Sequence, residues 1–234
     1  MKKIEVCLSP ELIPLYELKN KVVVIVDVLR ASSTMVTALA NGVKQIRTFS
    51  NVSACEAMKN NGYLIAGERG GDIIKGFDLG NSPLSFLNEK YFSENLALTT
   101  TNGTLAIKLS EKASKIIIGA MINLEATAKF LQNQDKDVVV FCAGWKGKVN
   151  LEDTLFAGAL IELLLEDFLV ECDASVVARA VYRDAKDDVM GYLKNSSHVN
   201  RLAKLGIIKD IEFCLTPNQY DIVPELDGDS IVVK

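Results

Sequence analysis

The sequence predicts an α/β fold, a three-layer α/β/α arrangement around a largely parallel central sheet. β-rich runs alternate with helical patterns along the chain, which is the signature of that class. The connections between them are short, which favours parallel pairing. Two runs, Val22–Val26 and Val138–Phe141, are apolar without alternation, as strands covered by helices on both faces are. Both are therefore expected at the centre of the sheet.

In chain order, Ile4–Leu8, Val22–Val28, Gln45–Phe49, Tyr63–Ala66, Ala97–Thr99, Lys115–Ile118 and Val138–Cys142 read as strands. Between them, Thr34–Asn41, Val52–Asn60, Leu105–Ser110 and Leu124–Gln132 read as helices, with Gly42 and Gly62 as C-terminal stops. From Leu151 to Leu169, apolar residues recur at helical spacing through Leu155, Phe156, Ala159, Leu160, Leu163 and Leu164, which predicts the longest helix of the fold. Helices follow at Ala174–Ala185 and Ser197–Leu205. Tyr220–Val223 and Ser230–Val233 read as short strands around a turn at Pro224–Asp229. Val22–Gly42 and Val138–Gly158 echo one another, each a buried strand, a polar loop and an Ala-rich helix. Two related, intertwined halves or the common grammar of α/β units would both produce that echo.

The 234 residues are 49% apolar and 24% charged, with no linker-like stretch, so a single domain spanning 1–234 is expected. The longest apolar run, Val138–Ala143, is far too short to cross a bilayer, and Glu5 and Pro10 break any export signal after Met1. A cytoplasmic chain with no membrane contact is the expectation. Five scattered cysteines without a CxxC pair suit reduced thiols. A net charge of −4 argues against nucleic acid as a partner, so any anion is held by a local cluster.

Ligands in open α/β sheets gather where strands end and helices begin. Four such junctions carry unusual polar content. The first runs from Asp27 through Arg30 to Ser32, Ser33 and Thr34. An ionised Asp27 at the end of an aliphatic strand needs a cation, either Arg30 or a metal. A serine N-cap beside a structural Asp27–Arg30 ion pair explains the same residues without a ligand. Haloacid-dehalogenase phosphatases carry a second Asp two residues after their nucleophile, and Leu29 stands there in this chain. The second junction is Gly67-Glu68-Arg69-Gly70-Gly71 with Gly80-Asn81-Ser82-Pro83, where paired glycines can turn backbone amides toward an anion.

The third junction, Thr99 to Thr104 through Thr100, Thr101, Asn102 and Gly103, offers hydroxyls and amides suited to phosphate or sulfonate oxygens, or to a simple helix cap. The fourth runs from Cys142 and Gly144 through Trp145, Lys146 and Lys148 to Asn150, Glu152 and Asp153. A capping arrangement accounts for Asn150 with Asp153, but helical turns counted from Phe156 bring Glu152 onto the core-facing stripe. Cysteine phosphatases carry an Arg six residues after their nucleophile. That position holds Lys148, so Cys142 reads as environment for a ligand. His198, the one histidine, follows Asn195-Ser196-Ser197 near a helix start, which favours a neutral ring, either a structural one or one able to exchange a proton with a leaving group.

In combination and order, Val24–Thr34, Gly67–Gly70, Gly80–Pro83, Thr100–Thr104 and Cys142–Gly144 with Glu152-Asp153 resemble the 2-phosphosulfolactate phosphatase family over nearly the whole chain. That resemblance implies Mg²⁺-dependent hydrolysis of (2R)-2-phospho-3-sulfolactate to 3-sulfolactate and phosphate, a step toward coenzyme M. Relatives occur in bacteria that lack that pathway. Residue chemistry and resemblance together assign catalytic roles to Asp27, Arg30, Glu68, Arg69 and His198. Substrate contacts fall to Ser32, Ser33, Gly70, Asn81, Thr100, Thr101, Asn102, Gly103 and Thr104, with Cys142, Gly144 and Lys146 on the other side. Asp27, Glu68 and either Glu152 or Asp153 are the candidate Mg²⁺ ligands. Either water attacks phosphorus in line, assisted by the metal, or Asp27 attacks directly. Two other functions fit the same residues: a phosphatase of another small phospho-hydroxy acid, and a non-catalytic sensor of such polyanions. A homodimer is the base-rate assembly.

Overall fold

A computed structural model describes residues 1–87 and 89–234. The chain opens with β1 (Lys2–Cys7), β2 (Val22–Val26), α1 (Ala31–Ala40), β3 (Gln45–Thr48) and α2 (Val52–Ala57). The hairpin β4 (Leu64–Arg69) and β5 (Asp72–Ile73) follows, then β6 (Asn95–Thr99), α3 (Gly103–Leu109), β7 (Lys115–Gly119), α4 (Leu124–Gln132) and β8 (Val138–Cys142). The remainder is mostly helical: α5 (Leu151–Leu163), β9 (Phe168–Leu169), α6 (Asp173–Ala185), α7 (Val189–Leu193), α8 (Ser197–Lys204) and α9 (Ile208–Leu215). It closes with β10 (Glu225–Asp227) and β11 (Ser230–Val232).

One mixed sheet has the order β5-β4-β6-β3-β11-β10-β7-β2-β8-β1-β9. It contains two parallel blocks. In the first, β4, β6 and β3 pair in parallel; in the second, β7, β2, β8, β1 and β9 do. The antiparallel β10–β11 hairpin links them through the single pairs Glu225↔Ile117 and Ile231↔Ile46. Val22–Val26 and Val138–Cys142 lie side by side in the interior, with every residue of both strands buried.

Alternation along the strands feeds two cores. Val22, Val24 and Val26 face the α4, α5 and α6 side with Leu155, Phe156 and Leu160. Val23 and Ile25 face the other side, where α1 and α3 (Met35, Val36, Ala106) also meet Ile46, Leu96 and Leu98 of the first block. α1 and α3 thus bridge both parallel blocks, and α2 covers the outside of the first through Cys55 against Ile65 and Ala97. Helices lie on both faces, giving three layers. Because both blocks wrap the same pair of helices, the carboxyl ends of β2, β4 and β6 open toward one another.

Three sequence expectations change. The helix expected to reach Leu169 ends at Leu163, and Phe168 turns to pair with Lys2 at the sheet edge. Helical periodicity continued through Leu164 because that side chain is buried in the same core, with its N–H bonded back to Ile161 in the closing turn. Tyr220–Val223 is not a strand: Asn218 and Tyr220 donate instead to the carbonyls of Met121 and Ile122, and pairing begins only after Pro224. The turn expected over Pro224–Asp229 is correspondingly tighter, centred on Gly228 with φ +59° between β10 and β11. The sequence reading did not foresee β5, α7 or α9.

α5 and α6 pack closely at Gly158, where an added Cβ would lie 2.1 Å from the Ala178 carbonyl oxygen. That oxygen belongs to helix backbone and cannot swing aside. Gly158→Ala is expected to destabilise the fold by about 1–3 kcal/mol, read as a lowered melting temperature. An unchanged melting temperature would contradict this packing.

Candidate active site

Asp27 follows the last residue of β2 and is 6% exposed. The turn into α1 is closed around it: the Asp27 N–H donates to Ser32 Oγ at 2.9 Å and the Ser32 N–H to the Asp27 carbonyl at 2.9 Å. Ser33 Oγ donates to the Val28 carbonyl at 2.8 Å. Both serines are therefore fully engaged within the turn. The Asp27 carboxylate sits over the start of α1, where the Ala31 N–H approaches Oδ1 at 3.4 Å and the helix dipole favours negative charge. Arg30 does not pair with Asp27. Its Nη1 meets Asp210 Oδ2 of α9 at 2.5 Å, and Ser82 Oγ donates to Asp210 Oδ1 at 3.0 Å.

Glu68, near the end of β4, ties two loops together. Its Oε2 accepts the Gly71 N–H at 2.8 Å, and its Oε1 accepts the Thr101 N–H and hydroxyl at 3.0 and 2.8 Å. Burial pushes Glu68 up, but these bonds outweigh it and hold its carboxyl below the usual carboxylate range. Gly70 and Gly71 take φ +66° and +95° in the turn that allows this. Arg69 does not line the cleft; its guanidinium donates to the Glu68 carbonyl and to Thr99 Oγ1, stitching β4 to β6. Thr104 Oγ1 donates to the Thr100 carbonyl, a bond within the loop. At Gly103 the loop passes so close to Asp27 that a Cβ would lie 3.0 Å from Oδ2 and 2.6 Å from the Ala31 Cβ, so only glycine fits.

The third wall comes from the β8–α5 junction. Asn150 caps α5 by accepting the Asp153 N–H. Asp153 is fully buried and spends both carboxylate oxygens on backbone, accepting the Val28 N–H at 2.9 Å and the Gly144 N–H at 3.1 Å. It clamps the β2 and β8 loops together. Burial pushes Asp153 well up, and the negative charges of Asp27 and Glu152 add to the shift. Cys142 is buried in β8, and burial, with the Asp153 charge adding to it, pushes its thiol well up, the opposite of an activated thiolate.

Glu152 is also fully buried. Its Oε1 lies 2.5 Å from His198 Nδ1, while its Oε2 has no hydrogen-bond partner among the described residues. The ring of His198 stacks on Trp145 with centroids 5.5 Å apart and an interplanar angle of 12°. The nearest charge to the imidazole is therefore a carboxylate, a feature that the helix-start reading of the sequence lacked. Glu152 takes the Nδ1 side, which leaves Nε2 for any partner in the cleft.

Together these loops enclose a cleft of about 220 Å³. Of the residues selected from sequence, it is lined by Asp27, Arg30, Glu68, Gly70, Asn81, Lys146 and His198, with Thr100, Thr101 and Asn102. Ser32, Ser33, Arg69, Gly103, Thr104, Cys142 and Gly144 lie behind it as turn, stitch and packing, and Glu152 and Asp153 are buried beneath it. Among the described residues, nothing partners the buried Asn81 Oδ1, which leaves that amide for a ligand. Sequence reasoning passed over Trp145, Arg201 and Asp210. Trp145 stood in the fourth junction but was given no role, and Arg201 could have been found three residues after His198, on the same face of α8. Nothing local marks Asp210, because only the tertiary fold brings α9 to Arg30.

Burial pushes Asp27 up to about 6, and the charges of Glu68 and Glu152 add to it, against His198 and the Ala31 N–H. Among the described residues, no three His, Cys, Asp or Glu side chains form a metal cage. A site of one or two carboxylates completed by water and substrate oxygens is the usual Mg²⁺ arrangement, and it needs no such cage. Among the described residues, Asp27 Oδ2 and Glu152 Oε2 have no hydrogen-bond partner, and the two groups repel each other. Neighbouring desolvated carboxylates with unspent oxygens fit a cation.

The family profile described as 2-phosphosulpholactate phosphatase matches residues 7–229 of this chain. A probable 2-phosphosulfolactate phosphatase of Caldanaerobacter subterraneus subsp. tengcongensis is 42% identical over 216 residues, 90% of this chain and 89% of its own. Proteins of the same description from Synechocystis sp. and Thermotoga maritima are 39% and 37% identical, covering 93% and 94% of this chain and 93% and 96% of theirs. The matched region contains every loop that builds the cleft, from Asp27 to Asp210. On that length and identity, the chain belongs to the 2-phosphosulpholactate phosphatase family.

Proposed function

We propose that the cleft hydrolyses 2-phospho-3-sulfolactate, a small acid carrying phosphate, carboxylate and sulfonate, to 3-sulfolactate and phosphate. The observation that carries this reading is the meeting of a desolvated carboxylate, an imidazole oriented by a buried glutamate, and three cationic side chains in one small hollow. A polyanion needs that concentration of positive charge in an otherwise acidic protein. The relatives, described as probable 2-phosphosulfolactate phosphatases, supply the substrate.

Asp27 and Glu152 are the residues that would hold Mg²⁺, which when bound neutralises and orients the phosphate. Lys146 offers its charge, and Arg30 and the Thr100–Asn102 loop their hydrogen-bond donors, to the phosphoryl oxygens. Water attacks phosphorus opposite the ester oxygen, the P–O bond to carbon breaks, and protonated His198 gives its Nε2 proton to the departing oxygen. The attacking water loses one proton to solvent and becomes a phosphate oxygen. Glu152 holds the imidazole at the angle this transfer requires.

Phosphate release from a panel of phospho-acids, with Mg²⁺ and then with excess chelator, tests the reading. Turnover of 2-phospho-3-sulfolactate that chelator abolishes is expected. Full activity in chelator would remove the metal, and binding without turnover would make the protein a sensor.

A further inference from the structure

The three cations of the cleft are not equivalent. Arg30 is buried and already neutralised by Asp210. Among the described residues, no carboxylate pairs with Lys146 or Arg201. Arg201 is nevertheless fixed in place. Its Nη1 donates to the Gly70 carbonyl at 2.8 Å, its guanidinium carbon lies 5.2 Å from the centre of the Trp145 ring, and its Nε is buried without a partner. The Gly-Gly turn makes room for this: a Cβ on Gly71 would lie 2.7 Å from Leu205 Cδ1 and 3.4 Å from Arg201 Nη1. The result is an immobilised planar fork with most of its five N–H donors unspent and its charge uncompensated, the arrangement that recognises an oxyanion.

Its position on the helix says which oxyanion. His198 and Arg201 stand three residues apart on α8 and both line the cleft. His198 serves the leaving oxygen, and in this substrate that oxygen belongs to the sulfonated acid. Lys146, Arg30 and the Thr100–Asn102 loop already take the phosphoryl side of that oxygen, which leaves Arg201, one turn further along α8, to the leaving acid.

We infer that Arg201, seated on Trp145 and the Gly70 carbonyl, reads the sulfonate of the leaving acid and sets the specificity of the site. This rests on the substrate reading above.

Calorimetric titration of the Mg²⁺-loaded protein with 3-sulfolactate and with lactate, which keeps the hydroxyl and carboxylate but lacks the sulfonate, separates the possibilities. The parent is expected to prefer sulfolactate by about tenfold or more. Arg201→Met is expected to lose most of that preference while its affinity for lactate is unchanged, and Arg201→Lys, which keeps the charge without the fork, to retain part of it. Equal weakening of both ligands in Arg201→Met would assign Arg201 to the carboxylate and overturn the inference. So would an intact preference in either variant, or no preference in the parent. Binding requires no turnover, so a parent that binds sulfolactate selectively but releases no phosphate refutes the hydrolase reading alone.

Discussion

Asp27→Asn is expected to lower turnover by about three powers of ten or more while raising the stability of the metal-free protein. The two effects have one origin. Folding moves the Asp27 carboxylate out of water and beside Glu68 and Glu152, pushing it from 3.8 up to about 6. An acid raised in this way favours the folded state only while it is protonated. Parent stability therefore falls as pH rises from about 4 through about 6, and above that the charged group costs about 3 kcal/mol. The amide carries no such cost. In chelator the melting temperatures of parent and variant should coincide near pH 4 and diverge above pH 6, with the variant higher. Adding Mg²⁺ should raise the parent but not the variant, because only the parent keeps the charged ligand. Equal melting curves at pH 8, or a mild loss of turnover, would reduce Asp27 to a structural residue.

His198→Gln is expected to show the second large effect, and its size should depend on the leaving group. Phosphosulfolactate expels an alkoxide, which needs a proton as the P–O bond breaks, so loss of Nε2 should cost about 10²- to 10³-fold in kcat. 4-Nitrophenyl phosphate expels a stable phenolate that needs none, and the same variant should lose less than about tenfold on it. Glu152→Gln should lower turnover of both substrates, since Glu152 would also hold Mg²⁺, with a further loss on phosphosulfolactate from its bond to the ring. Equal losses on both substrates would mean that His198 merely holds Trp145 and the β8–α5 loop in place.

Much of this architecture was legible because short-range chemistry dictates it. Five consecutive aliphatic residues in Val22–Val26 suit burial between two helical layers, and that placed β2 and β8 in the interior of the sheet, though toward one side of its centre. The junction rule likewise led from strand ends to Asp27, Glu68 and Thr100–Asn102, which the fold brings into one cleft. What escaped depends on distance along the chain. Arg30 was matched to its sequence neighbour Asp27, whereas the fold supplies Asp210, 180 residues away. Glu68 and Asp153 read as candidate Mg²⁺ ligands, yet the oxygens of each are consumed by backbone N–H groups of the surrounding loops. Side-chain type announces that a carboxylate is present, and only tertiary contacts decide whether its oxygens are left for a ligand.

The account as a whole depends on where the substrate sits. A crystal structure of the Asp27→Asn protein, soaked with 2-phospho-3-sulfolactate, should place the phosphoryl group against Thr100–Asn102, the ester oxygen beside His198 Nε2 and the sulfonate at Arg201. A substrate bound outside this cleft, or seated in it with the phosphate at Arg201 and the ester oxygen remote from His198, would contradict it.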